Sequence, residues 1–175
     1  MSEYLCESLG KHHDRQGFHC GDTELDLWFQ QRARQDQERH VAAVYVLVPV
    51  DEPTRVAGFY SLSATSVLLS DLPIDFARKL PRYPVVPAIL LGRLARDVKF
   101  PGLGETLLLD ALHRAWTNAS KIAAAAVIVD ATRPVAVYAM VVTLSVEPSA
   151  AAATRALTTE RSVPPAKSDT EMRFE

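Results

Sequence analysis

The 175 residues, 48% hydrophobic and 23% charged, suffice for one domain with a sizeable core and exclude a chain disordered throughout. With 19 basic against 21 acidic side chains the formal charge is -2, so no overall basic field marks a nucleic-acid binder, and any such role requires a local patch. Cys6 and Cys20 are too few for a disulfide framework, and no apolar run approaches the ~18 residues of a membrane span, so a reduced, cytoplasmic protein is expected.

Residues 22–40 (DTELDLWFQQRARQDQERH) place Leu25, Trp28, Phe29 and Ala33 at helical spacing. Acidic residues fall in the first turn and Arg39 and His40 in the last, as the helix dipole favours, which predicts one amphipathic helix. Residues 42–50 (AAVYVLVPV) and 56–64 (VAGFYSLSA) are β-branched and aromatic and flank a turn, predicting two adjacent strands in a hairpin. Pro73, Pro81, Pro84 and Pro87 interrupt residues 66–87 around a short helix at 74–80.

Residues 88–98 (AILLGRLARDV) predict a mostly buried strand, KFPGLG a glycine-containing turn, and ETLLLDALHRAW a helix with Leu107, Leu108, Ala111, Leu112 and Ala115 on one face. Residues 121–131 predict another buried strand, residues 132–140 a short helix with Pro134 near its start, and residues 141–147 a last strand. The order α, β, β, irregular, β, α, β, α, β is that of a mixed α/β sheet layered with helices. After Pro148 large apolar residues become sparse and Pro164 and Pro165 stand in tandem. Residues 1–147 therefore read as the folded domain and residues 148–175 as a tail that is flexible or ordered by a partner.

The chemistry concentrates in KFPGLGE, from Lys99 through Phe100, Pro101, Gly102, Leu103 and Gly104 to Glu105, between a buried strand and an amphipathic helix. A helix start presents unpaired N–H groups and the positive end of its dipole, and glycines there admit a phosphate to the backbone. The pattern is neither a Walker loop nor the three-glycine dinucleotide fingerprint, and by itself it serves equally as a structural turn. Arg78, Lys79, Arg82, Arg93, Arg96 and Lys99 against Asp97 leave a local charge of +5, suited to a polyanion or to an exposed loop. His12, His13 and Asp14 read as solvated residues, so no metal is expected. Cys20 reads as a small residue before a helix cap, and Ser61 and Ser63 lack the GxSxG elbow of a hydrolase.

LLGRLARDVKFPGLGETLLLDAL resembles motif A of the GNAT superfamily of acyl-coenzyme A dependent N-acetyltransferases. HDRQGFHCGDTELDLWFQQRARQDQ, AGFYSLSATSV and VDATRPVAVY resemble, in order, the opening, the second strand region and the tyrosine-bearing segment of GNAT toxins from bacterial type II toxin–antitoxin pairs. The resemblance spans residues 9–140. It implies a GNAT fold, a mixed, mostly antiparallel sheet flanked by helices and splayed at the cofactor cleft. It also implies acetyl-coenzyme A as cofactor, with the backbone of Leu94, Ala95 and Arg96 along the pantetheine arm and residues 99–105 around the diphosphate. Tyr138 takes the position of the general acid that protonates the departing thiolate. The implied acceptor is aminoacyl-tRNA, met by Arg78, Lys79, Arg82 and Arg93. The implied partners are a second copy of the chain and a ribbon-helix-helix antitoxin, which alone would engage DNA.

Lys99 stands where the family has Gln or Arg, Phe100 and Pro101 replace a glycine and a polar residue, and no glycine follows Gly104. These departures leave open a second reading, a GNAT scaffold without efficient catalysis that serves as a binding or regulatory module. A third is a general GNAT acting on a small amine or a protein N-terminus.

Overall fold

The computed structural model describes residues 3–129 and 142–143. Asp22 starts the first helix, α1 (Thr23–Gln31), its carboxylate accepting the N–H groups of Glu24 at 3.0 Å and Leu25 at 3.2 Å. The single helix predicted over residues 22–40 is instead two. The chain bends at Arg32 (φ -115°, ψ -30°) and resumes as α2 (Ala33–Glu38). The bend lets the Trp28 indole N–H donate to the Asp36 carboxylate at 2.9 Å. In an unbroken helix the two residues would sit about 12 Å apart along the axis.

Among the described residues one sheet has six strands in sequence order, β1 (Tyr4–Ser8), β2 (Ala43–Pro49), β3 (Gly58–Leu68), β4 (Val85–Arg96), β5 (Ala126–Val129) and β6 (Val142–Thr143). Neighbours are antiparallel except β4 and β5, which run parallel. A parallel pair needs a crossover, supplied by α4 (Gly104–Ile122). The mixed, mostly antiparallel sheet expected from the sequence is thereby found.

Several boundaries differ from expectation. β1, absent from the sequence reading, is a five-residue strand with Leu5 exposed, too short to display a pattern. β3 and β4 extend beyond the predicted hairpin strand and the predicted start at residue 88, because the far end of β3 alternates between half-buried and exposed positions and Pro87 sits within β4. The short helix α3 (Ile74–Ala77) ends before the predicted residue 80. α4 runs past residue 116 and takes the first residues of the predicted strand at 121–131, ending where Ala123 adopts a left-handed conformation (φ 55°). The predicted helix at 132–140, Tyr138 and the tail at 148–175 lie outside the described residues.

The two faces of the sheet carry separate cores. On one, Phe18, Trp28, Phe29, Val44, Val46, Val48 and Phe59 pack beneath α1 and α2. On the other, Leu107, Ala111, Ala115 and Ala119 form a buried stripe of α4 at helical spacing, with Tyr60, Ile89, Leu91 and Val127 among its partners. A Cβ on Gly58 would lie 2.6 Å from Leu107 Cδ1 and 3.1 Å from the Ala95 carbonyl oxygen, so the bare glycine lets the first turn of α4 settle onto β3.

The register of β3 and β4 slips at Gly92: Ser61 faces Arg93 while Leu62 faces Leu91. This bulge reverses the alternation. Ile89 and Leu91 lie toward α4, and beyond the bulge Leu94 takes that face while Arg93 and Ala95 turn toward α1. Among the described residues no helix is long and apolar enough to cross a membrane.

Candidate functional site

The described pairing of β4 with β5 ends at Leu91 opposite Val129, whereas residues 93–96 continue paired with β3. The backbone groups that this end of β4 directs away from β3 therefore have no strand partner among the described residues. This end of β4 lies at the carboxyl ends of two parallel strands, where open α/β sheets place their ligands. Leu94, Ala95 and Arg96 belong to this stretch of β4.

The chain then turns through residues 97–103 into α4. Gly102 takes φ +85°, a conformation that side chains resist, and a Cβ at Gly102 or Gly104 would meet nothing within 4 Å. Among the described residues no side chain caps α4, and its first ladder bond runs from the Leu107 N–H to the Leu103 carbonyl at 3.0 Å. The N–H groups of Gly104, Glu105 and Thr106 thus project forward beside open space, with the positive end of the helix dipole behind them. An anion fits this cradle. Pro101, exposed on the loop, has no N–H to offer. Lys99 and Glu105 are exposed as well, and Arg96 donates to the Asp97 carbonyl at 3.3 Å. The Phe100 ring packs edge-on against Tyr4, centroids 6.3 Å apart, with the Arg55 guanidinium 4.8 Å from its centre. The residue replacing the family's glycine thus anchors the loop to the edge of the sheet.

On the face toward α1 the loop leans on His19, whose imidazole Nδ1 lies 2.5 Å from the buried Asp26 carboxylate. Burial pushes the Asp26 carboxyl up, but the Cys20 N–H and thiol and the His19 imidazole outweigh it and hold the group below the usual carboxylate range. A carboxyl with a depressed folded-state pKa stabilises the fold above its unfolded value of about 3.9 and loses that contribution as pH falls through the folded value. The Asp26→Asn variant should therefore unfold at lower temperature at pH 7, with the difference from wild type shrinking as pH falls below about 4 in thermal melts. A constant difference across that range would refute the assignment.

The basic residues grouped in the sequence fall at two places. Arg78, Lys79 and Arg82 are exposed ahead of β4, Arg78 lying 4.0 Å from Asp75. Arg93 sits beyond the bulge with its guanidinium 4.2 Å from the centre of the Trp28 ring. From Val85 to Arg93 alone the strand spans about 25 Å. Of the six, Arg93 and Arg96 lie near the end of β4 and Lys99 in the loop that follows.

One cluster has no counterpart in the sequence reading. The Tyr60 hydroxyl donates to the Asp110 carboxylate, and the Arg114 Nε donates to Tyr60 at 2.8 Å and to Asp110 at 3.1 Å. Arg114 also reaches the Cys6 carbonyl at 3.0 Å and lies over the Tyr45 ring at 4.4 Å. These contacts tie α4 to β1, β2 and β3 and fix its rotation. The i, i+4 spacing of Asp110 and Arg114 was the available signal. Burial, with Asp110 adding to it, pushes the Cys6 thiol up to about 11, and burial with Asp26 does the same at Cys20, so neither is a poised nucleophile.

Metal-ligating side chains gather at Glu7, His12 and His13. The Gly10 N–H donates to His13 Nδ1 at 2.8 Å, so the proton sits on Nε2, which faces Glu7 at 2.9 Å. A ligating histidine donates from its second nitrogen, and here that nitrogen accepts. The trio is a hydrogen-bonded strut.

No protein-family model matches the chain. It is 34% identical over 120 residues to a probable toxin TacT of Sinorhizobium fredii, covering 67% of this chain and 66% of the relative, just under two thirds of that protein's length. It is 36% identical over 120 residues to a tRNA-acetylating toxin of Mycobacterium tuberculosis, covering 67% of this chain and 69% of the relative. Among solved structures, AtaT complexed with acetyl-methionyl-tRNAfMet aligns with a TM-score of 0.69 at 25% identity, over 75% of this chain and 80% of that one. The crystal structure of AtaTR bound with AcCoA aligns at 0.63 and 25% identity, over 74% and 78%. The fold expected from motif A is thus the fold observed, and the chain belongs to the GNAT-fold toxins of toxin–antitoxin systems, the family of the tRNA-acetylating toxin.

Proposed function

We propose that the chain is an acetyl-coenzyme A dependent N-acetyltransferase that acts as a toxin, acetylating the amino group of aminoacyl-tRNA and so blocking translation. The observation that carries this reading is the glycine-flanked start of α4, without a side-chain cap among the described residues and just beyond the end of β4, in a chain of this family. When bound, acetyl-coenzyme A supplies an activated acetyl thioester. The backbone of Leu94, Ala95 and Arg96 would run along its pantetheine arm, the N–H groups of Gly104, Glu105 and Thr106 would hold the diphosphate, and Arg96 and Lys99 would add positive charge. An α-amino group, with a reference pKa of about 7.7 to 8.0, is already partly neutral near pH 7, so the acceptor requires no dedicated base. Tyr138 donates the proton to the departing thiolate. Arg93, its guanidinium 4.2 Å from the centre of the Trp28 ring, faces the acceptor end of the tRNA, and Arg78, Lys79 and Arg82 meet phosphates farther along it. In this reading the protein works in the cytoplasm as a homodimer and is neutralised by a ribbon-helix-helix antitoxin, through which alone it meets DNA.

Calorimetry with acetyl-coenzyme A separates this reading from that of a scaffold without catalysis: no heat at millimolar coenzyme would overturn the enzyme. Expression in a bacterial host tests the acid. Wild type should arrest growth and Tyr138→Phe should not, with a loss of about 100-fold or more in acetylation of charged tRNA in vitro. Equal arrest by both chains would remove Tyr138 from the mechanism, and acetylation of free amines with charged tRNA untouched would shift the acceptor.

A further inference from the structure

We infer that Asp97 is a positioning residue that registers the coenzyme loop against the element leading into α1; the inference rests on the coenzyme assignment above. Asp97 is 2% exposed and directly follows the last residue of β4. One of its carboxyl oxygens accepts the His19 N–H at 2.9 Å and the other accepts the Lys99 N–H at 2.8 Å. Its own N–H donates to the Ala57 carbonyl at 2.9 Å, and its carbonyl accepts the Phe100 N–H at 3.0 Å. The Val98 N–H returns to the His19 carbonyl at 2.9 Å. A single side chain just after β4 thus joins the loop that opens α4 to residue 19.

The connection continues into α1. Asp26, in the first turn and a half of that helix, accepts the Cys20 N–H at 2.8 Å and holds the His19 ring. The same helix carries Trp28, on which Arg93 stacks. The loop that holds the diphosphate and the face that meets the acceptor are therefore linked through Asp97, His19 and Asp26 by hydrogen bonds with no slack between them. Asparagine is nearly the same shape but has one accepting oxygen and one NH2, so it cannot satisfy both N–H groups and sets donor against donor at one of them.

Calorimetry and steady-state kinetics on the full-length chain test this. Asp97→Asn should bind acetyl-coenzyme A about ten-fold more weakly and raise its KM to match, with kcat at saturating coenzyme within about two-fold of wild type, since the loop is displaced rather than the reacting groups. Asp14→Asn is the control. It makes the same chemical change in a surface turn, where Asp14 accepts the Gln16 and Gly17 N–H groups, and should leave the affinity unchanged. Wild-type affinity in Asp97→Asn, even with a lowered melting temperature, would reduce Asp97 to a fold-stabilising residue and overturn the inference. Hydrogen exchange on the wild type decides the matter if the variant does not fold. Coenzyme should slow exchange at Lys99 and at His19 together, and protection confined to the loop would overturn the linkage. A wild type that binds no coenzyme at all would instead bring down the assignment of the site, and this inference with it.

Discussion

Replacing Gly104 by aspartate is expected to weaken acetyl-coenzyme A binding by at least about 100-fold, close to 3 kcal/mol, while leaving the melting temperature unchanged or slightly raised. The two effects have opposite signs because the same field acts on both. A carboxylate at the first residue of α4 complements the helix dipole and replaces a residue of poor helix propensity, which favours the fold by about 0.5 to 1 kcal/mol. It also occupies, with like charge, the space beside Gly104 into which none of the described residues intrudes within 4 Å. The diphosphate then loses charge-assisted contacts to the leading N–H groups and meets a fixed negative charge. Gly104→Ala separates the terms: it should raise stability in the same direction and reduce affinity far less. Calorimetry and thermal melts read both quantities, and an unchanged dissociation constant in Gly104→Asp would move the coenzyme away from the start of α4.

The largest stability change is expected at Phe59. Its ring is fully buried and stacks on Phe29 with centroids 4.2 Å apart and planes 5° from parallel. Phe18 meets it edge-on at 5.2 Å, and Trp28 lies tilted at 5.8 Å. Phe59→Ala removes the transfer free energy of the ring, opens a cavity among three aromatic residues that cannot all collapse into it, and should cost ~3–5 kcal/mol in chemical denaturation, roughly a 10 °C fall in melting temperature. Phe59→Leu, which keeps most of the volume, should cost under half as much. A loss below about 1 kcal/mol for the alanine variant would mean that the face beneath α1 is loosely packed. Phe59 faces Ala95 across the sheet, next to the residues assigned to the pantetheine arm, so folded variant molecules are expected to retain coenzyme affinity only if β4 keeps its register.

Much of the site was legible in the chain itself because it is local. A buried strand, a glycine turn and an amphipathic helix follow one another over residues 88–116, and physics confined to a few neighbours, hydrophobic spacing and the bare N–H groups at a helix start, suffices to predict a cradle there. The start of the first helix near residue 22 is equally local and was predicted in place; the structure caps it with Asp22. Gly92 also gave a signal, an isolated glycine within a strand pattern, but the expected strand was continuous and the bulge went unpredicted. The missed features depend on distant partners. The bend at Arg32 follows from the reach of Trp28 to Asp36, and the fate of Phe100 from Tyr4 and Arg55, far away in the chain.

Hydrophobic periodicity and turn chemistry were enough by themselves to indicate the class of fold and a phosphate-loop candidate, and the order of motifs carried the resemblance to the family, since each is written in residues that stand close together. Only the tertiary structure decided that six clustered basic residues separate along an extended strand, that Asp97 and residue 19 meet, and that Tyr60, Asp110 and Arg114 lock α4 to the sheet. Spacing along a chain converts to distance within one helix or strand. Across a sheet the distance is set by strand register and by which face each side chain takes, and a single bulge at Gly92 reverses the latter.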